Sequence, residues 1–195
     1  MTKLKLIGDS ILGYMPKSML NGEEERYCYE NAETKFLKFY YPKYKTSLTD
    51  YNIFCLGIND FLRPYYDEDC PKQSAPEVAN GLTEFLTQIK NDNNGQLIVL
   101  SLLPLRSTYE YNIHYNDINK EIPVVNSSLN KFCKENNICF IDSYSHFVTQ
   151  NGNMSTELSD DGIHPNLDGY LVLSNLINKE LEKLNQLEEN NEINK

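Results

Sequence analysis

The sequence predicts a parallel α/β sandwich, and three observations carry that prediction. Residues 96–102 are apolar almost throughout, as in a strand covered on both faces of a parallel sheet. Ahead of them, Val78, Leu82, Phe85, Leu86 and Ile89 recur at three- and four-residue intervals, the period of an amphipathic helix. Strand-like and helix-like segments then alternate along the chain, which specifies parallel strands joined by right-handed crossovers.

Taken in order, residues 3–7 read as a short strand, and Gly8, Asp9 and Ser10 as the turn that closes it. Residues 11–20 can begin a helix, with Pro16 as its kink or stop. A polar stretch, 21–26, leads to a strand at 27–30, and 33–40 reads as a helix ending before Pro42. Residues 51–56 form the clearest strand, closed by Gly57, Ile58, Asn59 and Asp60. An irregular segment rich in proline and tyrosine precedes the helix at 76–90. Residues 91–95 then stop the chain before the strand at 96–102. A long polar, tyrosine-rich loop is expected over 104–121, a helix over 124–135 and a strand over 138–142. Residues 143–160 read as irregular, and the last helix starts at Pro165, welcome as a first helical residue. One domain is expected over 1–185. Residues 186–195, rich in Asn and Glu with no core-facing pattern, are expected to fray.

Composition narrows the function classes. Eighteen basic against twenty-eight acidic residues give a net charge of −10, which repels phosphate backbones, and no basic patch is interleaved with aromatics. Nucleic acid is therefore a disfavoured partner. No stretch approaches the roughly 18 apolar residues of a membrane span. The apolar residues before Asp9 are too few for a secretory signal, so a cytoplasmic location is expected. The five cysteines, Cys28, Cys55, Cys70, Cys133 and Cys139, lack paired metal spacing and read as reduced, structural thiols.

Three segments carry chemistry. Gly8-Asp9-Ser10 can simply turn the chain and cap a helix, or it can present a hydroxyl at the sheet edge beside helix-terminal N–H groups. Asp161-Gly162-Ile163-His164-Pro165 holds a histidine at a helix entrance, with a carboxylate three residues back that can reach its Nδ1 side. Asn59 can cap the following helix, or its amide can donate to an oxyanion. A serine, an imidazole and a carboxylate are the three roles of nucleophilic acyl transfer. His114, in the tyrosine-rich loop, and His146, near the last strand, read as loop and turn residues.

Together and in this order, the segments resemble the GDSL or SGNH hydrolase family of esterases and lipases. Gly8-Asp9-Ser10-Ile11-Leu12 resembles its first block, Gly57-Ile58-Asn59-Asp60 its third, and Asp161 to His164 its last. The resemblance implies a flavodoxin-like three-layer α/β/α sandwich on a five-stranded parallel sheet, with an ester substrate and no metal or organic cofactor. It implies Ser10 as nucleophile and donor of an oxyanion-hole N–H, His164 as general base, and Asp161 as its orienting partner. Asn59 is implied as a second oxyanion donor, with Asp9 and Gly57 beside the substrate. The family's second block normally supplies a glycine N–H. Here the corresponding stretch, Tyr29 to Thr34, has none, leaving Ala32 or Asn31 to offer one.

A short-acyl ester, such as an acetyl group on a carbohydrate, suits the polar tyrosine-rich loop and the absence of an apolar lid segment. A lipase, lysophospholipase or thioesterase of the same family is the nearest rival. A non-catalytic binding module on the same fold is the rival of a different class.

Overall fold

The computed structural model describes residues 1–43, 49–92, 95–107 and 115–193. Five strands, β1 (Lys3–Gly8), β2 (Glu23–Cys28), β3 (Tyr51–Cys55), β4 (Gln96–Leu100) and β5 (Cys139–Ile141), form one sheet in the order β2-β1-β3-β4-β5. Every neighbouring pair is parallel. Register explains the two cores. Ile7, Phe54 and Val99 lie in one cross-strand row, and Leu6, Ile53 and Ile98 in the next. Successive strand residues face opposite sides. The first row packs on α2 (Thr34–Tyr40), α3 (Ile58–Tyr66), α4 (Ala75–Asn91) and α5 (Tyr115–Glu135). The second row packs on α1 (Ser10–Gly13) and α7 (Leu167–Ile193), with α6 (Tyr144–Phe147) at its edge. The result is the expected three-layer sandwich.

Local chemistry sets the helix ends. α4 starts on a capping box, in which Ser74 N–H and Oγ both meet the Glu77 carboxylate at 2.7 Å. Its Val78, Leu82, Phe85, Leu86 and Ile89 are all buried, as the spacing predicts.

Elsewhere the structure corrects the sequence reading. α1 ends at Gly13, well short of residue 20, because the Arg26 guanidinium takes the carbonyls of Gly13 and Met15 ahead of Pro16. β2 starts at Glu23, within the stretch read as polar loop. As an edge strand it pairs only with β1, so its Glu and Arg side chains need not be dry. The proline- and tyrosine-rich segment contains α3, since Pro64 at its seventh position removes a single backbone hydrogen bond. α5 starts at Tyr115 and absorbs the end of the expected loop, while residues 108–114, His114 among them, lie outside the described residues. The last helix begins at Leu167, two residues after Pro165, with Asn166 Oδ1 accepting the Gly169 N–H as its cap. Its helical backbone reaches Ile193, within the stretch 186–195. Its Glu, Gln and Leu residues favour the helix intrinsically and extend one already nucleated on the core.

All five cysteines are free thiols. Among the described residues, no helix is long and apolar enough to cross a membrane.

Candidate active site

In an open sheet of this strand order, ligands bind outside the carboxyl ends of the strands, where the order reverses. That point lies between β1 and β3. Ser10 follows β1 by two residues and Asn59 follows β3 by four, so the topology alone places both at one crevice. His164 arrives there from the segment between β5 and α7.

The three groups expected to carry acyl transfer are within hydrogen-bonding reach of one another. Asp161 Oδ2 lies 2.6 Å from His164 Nδ1, and His164 Nε2 lies 2.9 Å from Ser10 Oγ. A carboxylate can only accept, so the ring proton sits on Nδ1 and the Nε2 lone pair receives the serine hydroxyl. Asp161 Oδ1 accepts the N–H groups of Ile163 and His164, both at 2.8 Å. Burial pulls the Asp161 carboxyl upward. The bonds from the His164 ring and the two N–H groups outweigh it and hold its pKa below the ordinary value. The carboxylate therefore stays ionised beside the imidazole.

A second set of residues holds this loop in place, and the sequence reading missed it. Asn126 and Asn119, seven apart on α5, each clamp the extended segment after β4. Asn126 exchanges two hydrogen bonds with the backbone of Leu102, and Asn119 two with Leu105. The next residue, Arg106, donates its N–H to Gly162 O at 2.8 Å and its guanidinium to Ser159 O at 2.8 Å. Helical spacing of the two asparagines is visible in the sequence, but their extended partner is not.

Ser10 is the first residue of α1, where a backbone N–H has no intrahelical acceptor. Asn59 is 8% exposed, and its Nδ2 donates to Ala32 O at 3.2 Å, which leaves a second amide proton for the cleft. Ala32 does not sit as expected. Its N–H donates to Tyr29 O at 3.2 Å across a turn, so it meets the site through its carbonyl. Asn31 takes the left-handed conformation at φ 55° and is the residue of this stretch that lines the cleft.

Asp9 and Gly57 are also displaced from the expected role beside substrate. Asp9 is 1% exposed, and its Oδ1 accepts the Ile11 N–H at 2.9 Å as the cap of α1. Gly57, at φ 122°, turns the chain into α3, and a Cβ there would stand 2.9 Å from Leu82 Cδ1. Both shape the two turns, and neither lines the cleft.

The cleft holds about 400 Å³ and is lined by Ser10, His164, Asn31 and Ile163, and by Asn59, Leu62, Arg63 and Tyr66 of α3. Tyr14 stands over the histidine, with ring centroids 5.1 Å apart. The α3 residues beyond Asn59 escaped the sequence reading because Pro64 and the tyrosines masked the helix.

Burial pushes the Asp9 carboxyl up to about 7; the Ile11 N–H pulls it back, and nearby Asp60 raises it. Burial likewise raises Asp60 to about 6, against the pull of its bonds from Thr34. Between about pH 4 and 7 the folded chain therefore binds protons that the unfolded chain has released. Stability from these two groups is fully present at low pH and is lost as pH rises through 6 and 7. Asp9→Asn keeps the capping oxygen but cannot ionise. Urea unfolding at pH 4, 5, 6 and 7 is expected to show the variant gaining on the parent as pH rises, by up to a few kcal/mol. Parallel profiles would remove Asp9 as the source.

The profile of the GDSL-like lipase/acylhydrolase family matches residues 33–172, a span that begins after the Ser10 turn. No curated protein matches the sequence. Solved structures share the fold. A GDSL-like lipase from Bacteroides thetaiotaomicron is 16% identical, with 94% of this chain and 89% of that one covered and a TM-score of 0.79. A catalytic mutant of an acetylxylan esterase from Geobacillus stearothermophilus is 16% identical, with 92% and 93% covered and a TM-score of 0.70. At such identities the likeness carries the fold alone.

Proposed function

The chain belongs to the GDSL-like lipase/acylhydrolase family, hydrolases acting on ester bonds, and from that premise we propose that it is a serine esterase of short acyl groups, acetyl on a carbohydrate foremost. The observation that carries the reading is the unbroken hydrogen-bonded line from Ser10 through His164 to Asp161 at the cleft.

Ser10 Oγ attacks the ester carbonyl while His164 Nε2 takes its proton. The tetrahedral oxyanion accepts from the Ser10 N–H and from Asn59 Nδ2. His164 then gives the proton to the leaving alcohol, and an acyl group remains on Ser10. Water, deprotonated by His164, attacks that acyl group; the acid departs and Ser10 regains its hydrogen. Asp161 holds the ring tautomer throughout and stabilises the imidazolium.

Short acyl groups are favoured because the cleft that Ser10 lines is walled by the buried side chains of Leu62 and Ile163 and by the polar Asn31 and Arg63. The acetyl preference also draws on the acetylxylan esterase, whose catalytic mutants replace a serine and a histidine by alanine.

A fluorophosphonate probe is expected to add to Ser10, and turnover of p-nitrophenyl esters to fall as the acyl chain lengthens from two carbons to eight. Rates that climb with chain length would replace the acetyl reading by the lipase one. Neither adduct nor turnover on folded protein would favour a binding module.

Asn59→Ala is expected to lower kcat by about 100-fold with little change in KM, since its second amide proton meets charge that exists only in the transition state. A matching rise in KM instead would assign Asn59 to ground-state binding.

A further inference from the structure

The α3 residues that line the cleft are Asn59, Leu62, Arg63 and Tyr66, spaced so that all four share one helix face. This stripe climbs about 10 Å from the oxyanion donor to the last ring, at 1.5 Å per residue. It also changes character as it climbs. Leu62 is 3% exposed, whereas the Tyr66 ring stands at the mouth, 55% exposed. The inner end suits a small acyl group, and the outer end has donors and an aromatic face for whatever the acyl group is attached to.

Among the described residues lining the cleft, Arg63 is the single Lys or Arg, and its charge is already met. Its Nη2 donates to Asp67 Oδ2 at 3.0 Å, and its Nε lies 4.0 Å from Glu33 Oε1. A guanidinium has five N–H donors in a fixed fork, so donors remain for a ligand after the charge is balanced. An anionic ligand would gain little from a neutralised cation and would approach a chain of net charge −10. A neutral oxygen acceptor suffers neither penalty. A ring of C–H bonds carrying hydroxyl groups can also lie against Tyr66.

We infer that Arg63 and Tyr66 form the subsite for the leaving alcohol and select a neutral sugar over an anionic one. The inference rests on the esterase reading and adds to it which residues recognise the alcohol and what charge that alcohol carries.

The test compares kcat/KM of the full chain for an O-acetylated neutral pentose, the corresponding O-acetylated uronate and ethyl acetate. The wild type is expected to favour the neutral sugar over both others by about 10-fold or more. Arg63→Gln and, separately, Tyr66→Ala are expected to reduce the sugar-to-ethyl ratio several-fold, chiefly by raising KM for the sugar. A general loss of structure would lower all three substrates together and leave that ratio alone. Asp67→Asn, which removes the carboxylate facing Arg63, is expected to raise the uronate-to-neutral ratio. A wild-type ratio near one, a preference for the uronate, or an Arg63→Gln ratio equal to wild type would overturn the subsite while leaving the esterase standing. Absence of turnover on every ester, with no fluorophosphonate adduct, would overturn both.

Discussion

Ser10→Ala is expected to lower kcat on a short-chain ester by about 10⁴-fold or more, and to abolish fluorophosphonate labelling. The serine hydroxyl bonds His164 Nε2, and without it the imidazole has no nucleophile to activate. Stability should hardly move. Ser10 is buried at the first position of α1, alanine fits there as a smaller side chain, and the cap comes from Asp9. His164→Ala should fall to a similar floor, and the double variant should be no worse than either single one, because the groups act as one unit. Rates of p-nitrophenyl acetate hydrolysis, with a thermal melt for each variant, decide the matter. Retention of more than about 1% of kcat by Ser10→Ala would contradict the nucleophile assignment.

The second large effect comes from a residue without a side chain. Gly162 sits between Asp161 and the histidine, at φ 82°, and a Cβ there would lie 2.0 Å from Arg106 O. Its carbonyl accepts the Arg106 N–H, and its own N–H donates to Ser159 Oγ at 2.9 Å. Alanine would have to push these two backbones apart, besides adopting a left-handed conformation that costs about 1–2 kcal/mol. We expect a loss of about 3 kcal/mol, or a melting temperature lower by roughly 6–12 °C for a chain of this size. The shift of the Asp161–His164 loop should cost about 100-fold in kcat, the usual penalty for an ångström of misplacement at a reacting group. Gly152→Ala separates the two causes. It shares the positive φ, at 79°, but its Cβ would meet nothing within 4 Å. It should lose only the conformational part and keep its activity. Equal losses in the two variants would mean that the contact with Arg106 is unimportant.

Legibility of the chain followed the range of the forces involved. α4 could be placed to within a residue at either end, because its apolar period, leading proline and terminal asparagines are all local. β4 was recognisable by its run of buried side chains. β2 was read four residues late, at 27–30, and α3 was not read at all, for opposite reasons. β2 carries charged residues because an edge strand wets one side, and only its pairing with β1 makes it a strand. α3 contains a proline that local preference reads as a break, but Ile58, Phe61 and Leu62 are buried in the core against the sheet, and packing overrides one lost hydrogen bond.

The candidate site divides in the same way. Ser10, Asp161 and His164 were nameable because each sits in a short motif whose turn chemistry is sequential. Ala32 was named from a block whose glycine is missing, and the backbone turn that commits its N–H to Tyr29 cannot be seen in residue types. Asp9 and Gly57 flank the site in sequence, but their part in the structure is to shape the turns into α1 and α3. Asn119, Asn126 and Arg106 serve the site only through carbonyls and N–H groups of segments distant in the chain.

Residue types, periods and turn signals thus determined by themselves that the chain would build a parallel α/β sheet, and which three side chains could carry acyl chemistry. Tertiary structure alone decided that 154 residues of separation close to 2.9 Å between Ser10 and His164, and which helix face becomes the wall of the cleft. The reason is physical. Turn and helix preferences act over a few residues, whereas catalytic distance depends on strand order and on backbone contacts between loops, which no local pattern encodes.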